Sequence, residues 1–218
     1  MAKLISRRFI FAVLITLSFF SFQSAHAASL TTLFASNNMG SFGGGIYFDL
    51  ENVGSMPITI TSWDVNVSSG TDDVAVWYRT GTSQGFEQTT DGWQLLGTDS
   101  NVVSQGVDQP TPVNVGGLTI FPGDVFGIAM AGGMQWRYTN WTSSNRDYND
   151  GLLEIRTVSA TNVAFGSPRF FPRVWNGTIY YRLSGSIPTV SEWGLIIFSL
   201  LLAGAGYWII PRRQKACA

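Results

Sequence analysis

Between residues 28 and 186 apolar side chains come in short runs of β-branched and aromatic residues, separated by clusters of Gly, Asn, Asp, Ser and Pro. No stretch keeps a helical period there, so the pattern predicts strands and turns. Ten runs read as strands: LTTLFA from Leu30, GIYFDLENV from Gly45, ITITSWDVNV from Ile58, DVAVWYR from Asp73 and WQLLGT from Trp93. The others are PVNVGGLTI from Pro112, DVFGIAMA from Asp124, MQWRYTN from Met134, LLEIRTV from Leu152 and TIYYRLS from Thr178. About ten short strands in a body of this size predict an all-β fold, an antiparallel, jelly-roll-like β-sandwich. Period-two alternation puts Val74, Val76 and Tyr78 on one face and Trp77 and Arg79 on the other, with the valines toward the core and Trp77 outward or in a second contact surface. Met134, Trp136 and Tyr138 likewise alternate with Gln135, Arg137 and Thr139, and the Pro122–Gly123 pair predicts a tight turn.

The two ends break this pattern. Lys3, Arg7 and Arg8 precede an apolar stretch from Phe9 to Phe22 and a small-residue site at Ala25-His26-Ala27, the form of a secretory signal peptide over residues 1–27. A second apolar run, Gly194–Ile210, carries no charge and is followed by PRRQK. As a helix it would be about 25 Å long, near the short limit for a membrane span, and its basic flank places residues 211–218 on the cytoplasmic side. The expected organisation is signal peptide 1–27, sandwich 28–186 and tail 187–218.

Composition then removes chemistry. The body's thirteen acids face seven arginines and no lysine, a net of −6 that the basic ends of the chain conceal. Such a surface excludes nucleic acid as a partner. The single histidine, His26, and the single cysteine, Cys217, lie in the two end segments. The body therefore has no Ser-His-Asp or Cys-His nucleophile, no Schiff-base lysine, no ordinary zinc site and no disulfide.

The octapeptide before the second apolar run is Ile187, Pro188, Thr189, Val190, Ser191, Glu192, Trp193 and Gly194. Pro188 has no amide hydrogen and biases Ile187 toward extended backbone, which keeps the segment out of a helix. Motif, short apolar helix and basic end together resemble the tripartite sorting tail of the IPTL-CTERM family, whose pattern is Ile-Pro-Thr-Leu, two variable residues, then Trp-Gly. Val190 alone departs, by one carbon. The resemblance implies that an exosortase-like cysteine transpeptidase recognises Ile187, Pro188, Thr189, Val190, Trp193 and Gly194, holds the chain transiently at the inner membrane and passes the body to the cell surface or extracellular matrix. It also implies an association with exopolysaccharide and a structural or adhesive role. The middle of the body further resembles a β-sandwich domain of secreted bacterial proteins.

Within the body three kinds of site compete with a purely structural role for the same residues. Trp77, Tyr138, Trp141 and Tyr148, several beside amide and charged groups in YTNWTSSNRDYNDG, are candidate glycan contacts. Asp147, Asn149 and Asp150, with Glu154, offer hard oxygens for Ca²⁺, as do Thr71, Asp72 and Asp73; neither spacing is that of an EF-hand. A carboxylate pair for glycoside hydrolysis is not singled out by any spacing. The expectation is a non-catalytic protein without cofactor, a carbohydrate-binding module being the alternative and a glycosidase the third choice. The sequons at Asn66, Asn140 and Asn176 carry little information.

Overall fold

A computed structural model describes residues 27–184 and five helical positions of the tail, Ile196, Ile197, Ser199, Leu200 and Gly204. The chain divides into two units, Met1–Ser184 and Gly185–Ala218. Residues 1–26 of the expected signal peptide, the octapeptide, most of the apolar run 194–210 and the basic end 211–218 lie outside the described residues. Among the described residues no helix is long and apolar enough to cross a membrane.

The body is built from fourteen strands: β1 (Ala27–Thr31), β2 (Asn38–Met39), β3 (Gly45–Asn52), β4 (Ile58–Val65), β5 (Thr71–Thr80), β6 (Gln94–Val103), β7 (Thr111–Val113), β8 (Thr119–Ile120), β9 (Val125–Gly132), β10 (Arg137–Asn140), β11 (Asp147–Asn149), β12 (Leu153–Thr161), β13 (Arg169–Trp175) and β14 (Gly177–Leu183). All pair antiparallel into two sheets. The smaller runs β1-β14-β4-β7, with β8 also on β4; the larger runs β2-β10-β13-β12-β3-β9-β5-β6, with β11 on β12. One apolar core joins Ile58, Ile60 and Trp63 of the small sheet to Phe48, Val76 and Met130 of the large one, so the expected sandwich is present. Five and nine strands make it wider than the eight-stranded jelly roll.

All ten expected runs contain strand, with shifted bounds. PVNVGGLTI divides into β7 and β8, and MQWRYTN becomes a strand only at Arg137. Strands β2, β11 and β13 were not expected. The first two are two and three residues long, and β13 carries Pro172 within it, a residue that ordinarily argues against a strand interior.

Bulges explain why strict alternation fails within the strands. In β4 the buried apolar positions are Ile58, Ile60, Trp63 and Val65, and the register to β14 shifts between Tyr180 and Tyr181. Thr61 is the extra residue, and it resets the phase so that both halves of the strand face the core. Val74 and Val76 enter the core as expected, and Tyr78 packs against it.

The outer face of the large sheet has its own cover. Tyr47, Trp93 and Ala129 form a second buried cluster with Trp77 and Phe165 against it, and Trp77 meets Phe165 edge-on at 5.5 Å. The loop joining β5 to β6, residues 81–93, closes over this face and is pinned by two buried carboxylates. Asp49 accepts bonds from the Ser83 amide at 2.7 Å and its hydroxyl at 2.6 Å. Glu87 accepts from Ser159 Oγ at 3.1 Å, Arg169 Nη1 at 3.0 Å and the Gly85 amide at 2.7 Å. The loop also requires Gly127, since a Cβ there would stand 2.6 Å from the Ser83 nitrogen. Glu87→Ala should cost about 2–3 kcal/mol in urea unfolding: it strands the buried Ser159 hydroxyl, while Arg169, a third exposed, turns to water. A loss below 0.5 kcal/mol would mean that the carboxylate does not hold the loop.

Candidate functional site

Strand direction gives the body two distinct ends. Ala27 of β1 lies opposite Arg182 of β14, so the N-terminal strand begins beside the point where the chain leaves for the tail at Ser184. The other ends of these strands, Thr31 and Thr178, are paired at the far end of the small sheet, with Gly177 beside Val65. In the large sheet Asn52 belongs to the tail end, because its side chain donates to the Met56 and Ile120 carbonyls next to Ile58 and Leu183. Gly45 and Thr161, at the other end of the β3–β12 ladder, belong to the far end.

At that far end lies a cleft of roughly 360 Å³. Its walls come from four distant stretches: Asn38 to Ser41, the β10 region through Gln135 and Tyr138, Asn162, and Phe170 with Arg173 of β13. A single residue, Asn176, separates β13 from β14, and within β13 Phe170 lies opposite Ala160 of β12 while Arg173 lies opposite Asn140 of β10. The Arg173 guanidinium carbon sits 5.7 Å from the Phe170 ring centroid and 5.8 Å from that of Tyr138, and its Nη1 donates to the Pro172 carbonyl at 2.8 Å. Its buried Nε has no partner. Among the described residues Arg173 is the only charged one lining the cleft.

The loop that forms one wall is held by Asp108. Its Oδ1 accepts from the Ser36 amide at 2.9 Å, the Ser36 hydroxyl at 2.5 Å and Asn66 Nδ2 at 3.0 Å. The Ser36 hydroxyl, more than any other cause, holds the Asp108 carboxyl below its ordinary value. A carboxyl depressed in the folded state stabilises above its unfolded pKa, near 4, and that contribution is lost as pH falls through the folded value. Asp108→Asn should therefore lower stability at pH 6 and lose less on going to pH 3 than the natural chain, measured by urea unfolding at both; parallel losses would contradict this role.

The four aromatics expected as glycan contacts are not brought to one surface. Tyr138 is buried, donates its hydroxyl to the Met39 carbonyl at 3.0 Å, and gives its ring to the cleft. Trp77 belongs to the outer cluster, and Trp141 is exposed at 38%. Tyr148 packs on the main core with its hydroxyl buried and unpaired, and burial raises its pKa. The stretch that carries Tyr138, Trp141 and Tyr148 starts at the far end, at Tyr138, and finishes at the other end of the body, where Asp150 meets Tyr181 of β14.

The calcium candidates are occupied in shaping that second terminus. Asp150 accepts from the Leu152 and Leu153 amides and from the Tyr181 hydroxyl at 2.5 Å, and burial followed by this bond raises the Tyr181 pKa. Asn149 accepts from the Gly151 amide and donates to Glu154 at 2.9 Å, while Asp147 stands 3.7 Å from Arg146. Asp72 and Asp73 lie at the start of β5, in a bulge of its ladder to β6, where Asp73 accepts from the Asn101 amide at 2.9 Å. Among the described residues no group of three or more acids, histidines or cysteines is placed to hold a metal. Two sequons are closed by the fold, since Asn66 and Asn176 are fully buried.

Sequence reasoning passed over Arg173, Phe170, Gln135 and Asn162. The stretch RFFPRVW offered the available signal, an arginine close to aromatics, but its cleft partners lie 11 to 135 residues away.

No curated protein matches the chain. Among solved structures it is similar to the cysteine protease and lectin-like domains of Cwp84, a surface-layer-associated protein of Clostridium difficile, at 12% identity and a TM-score of 0.44, covering 72% of this chain and 36% of that one. It is similar also to the same clostridial protease after propeptide cleavage, at 12% and 0.45, covering 72% and 40%. A third similarity is to infectious bursal disease virus, Gx strain, at 13% and 0.30, covering 81% and 48%. The chain thus spans less than half the length of each of these structures. The tail is matched directly: residues 186–215, which contain the octapeptide, carry the IPTL-CTERM motif.

Proposed function

We propose that this chain is an exported, non-catalytic protein of the cell surface or extracellular matrix, sorted through its C-terminal tail by an exosortase-like transpeptidase and acting there in a structural or adhesive role. The observation that carries the reading is the IPTL-CTERM motif at residues 186–215, which implies export and a membrane-anchored tail before processing. On this reading residues 1–27 direct export, 194–210 form the span and 211–218 stay cytoplasmic until the cut.

The body's two ends support the arrangement. Its N-terminal strand starts beside the departure point of the tail, so both export segments attach at one end and the cleft at the other is left to meet other molecules. A body without His, Lys or Cys favours adhesion over covalent chemistry. Deleting the protein from its native host should weaken the cohesion of the matrix while leaving the chain length of its polysaccharide unchanged. A shift in polysaccharide length without loss of cohesion would favour a glycosidase instead. The carbohydrate-binding alternative gains from one observation, the polar cleft edged by Tyr138 and Phe170.

A further inference from the structure

We propose that the far-end cleft binds an acidic sugar, a uronate residue of a polysaccharide, with Arg173 receiving its carboxylate. The body is strongly acidic, yet among the described residues no Asp or Glu lines this cleft. Arg173 forms no ion pair among the described residues, where the pairs use Arg146, Arg156 and Arg169. A guanidinium placed near two rings has little freedom, which suits the fixed, two-pronged geometry of carboxylate recognition.

The remaining lining selects among carboxylates. Asn162 lines the cleft with an amide that both donates and accepts, the complement of sugar hydroxyls, while the amides of Asn38 and Gln135 already bond Asn140, the Met39 amide and the Gly40 carbonyl and add only their remaining capacity. Phe170 in the wall, with exposed Met39 and Phe42 nearby, offers apolar surface for the C–H face of a pyranose. An acidic peptide would need several cations along its length, whereas among the described residues Arg173 is the one charged side chain lining the cleft. Within the body the cleft lies at the end of the sheets away from Leu183 and Ser184. The choice of glycan rests on the matrix reading above, whereas binding by purified protein holds or fails whether or not the tail is cut.

The test is calorimetric titration of the full-length chain, purified in detergent, with a triuronate, with its neutral methyl ester and with an acidic tetrapeptide. The triuronate should bind saturably and the ester and peptide at least tenfold more weakly. Arg173→Gln should lose at least tenfold in affinity for the triuronate while unfolding at the same temperature as the natural chain. Should that variant fail to fold, Asn162→Asp decides, because it adds a like charge without touching Arg173 and should abolish triuronate binding. Absence of saturable binding, equal binding of the ester, unchanged binding by Asn162→Asp, or preference for the peptide would each overturn the proposal, the last in favour of a protein partner.

Discussion

Trp193→Ala, introduced into the chain in its native host, should leave most of the protein uncut and in the membrane fraction. The motif that residues 186–215 carry places Trp193 and Gly194 at the entry to the apolar run, where an indole ring favours the membrane interface. Removing a buried aromatic anchor from a recognition surface costs about 2 kcal/mol or more, a roughly thirtyfold slower cut. Against continuing synthesis, such a slowdown shifts the steady state to the unprocessed form. Pro188→Ala should act in the same direction by letting the motif itself join the helix that follows it. Val190→Leu, which restores the family pattern, should leave processing intact. Immunoblotting of membrane and extracellular fractions reads all three; normal release of the Trp193 variant would show that the octapeptide is not what the enzyme recognises.

Trp63→Ala should destabilise the body by about 3–5 kcal/mol, the range for removing a large aromatic from a core that cannot collapse around the gap. Trp63 is fully buried where the two sheets meet. Its ring stands edge-on to Trp175 at 6.3 Å and to Phe48 at 6.2 Å, and Phe48 stacks on Trp175 at 4.4 Å. Its Nε1 donates to the Val115 carbonyl at 2.8 Å, so the substitution leaves an unpaired buried acceptor as well as a cavity. Domains of this kind hold about 5–15 kcal/mol in total, so the loss takes a large share of it. Urea unfolding followed by tryptophan fluorescence measures the change, with the exposed Trp141→Ala as a comparison expected within about 0.5 kcal/mol. A cost below 1 kcal/mol for Trp63 would mean that the inter-sheet aromatic contact is not a main support of the sandwich.

What the sequence disclosed follows from the range over which each feature is encoded. The octapeptide is a linear signal, legible from Ile187, Pro188, Trp193 and Gly194 without any fold. Core strands such as that of Val74 and Val76 are nearly as local, because alternation reflects the pleat of the strand itself. Strand β13 was hidden because Pro168 and Pro172 imitate a loop, and the phase of β4 because the bulge at Thr61 depends on the partner strand. Trp77 was placed correctly on the outer side, but its covering by Phe165 depends on a contact 88 residues away in sequence. Asp150, read as a calcium candidate, accepts from Tyr181, and Tyr148, read as a glycan contact, packs on the main core, contacts that no local pattern announces. The cleft was the least legible feature, since a sheet order that pairs β10 with β13 brings Tyr138 and Arg173 together.

The central claim, that the tail is a processing signal and not a permanent anchor, is tested most directly by the mass of the mature C-terminus. The protein is isolated separately from the membrane and extracellular fractions of its native host, and its C-terminal peptide is weighed. The account predicts an extracellular chain ending at or near residues 187–194, with the apolar run absent. A chain intact through Ala218 and confined to membranes would contradict it.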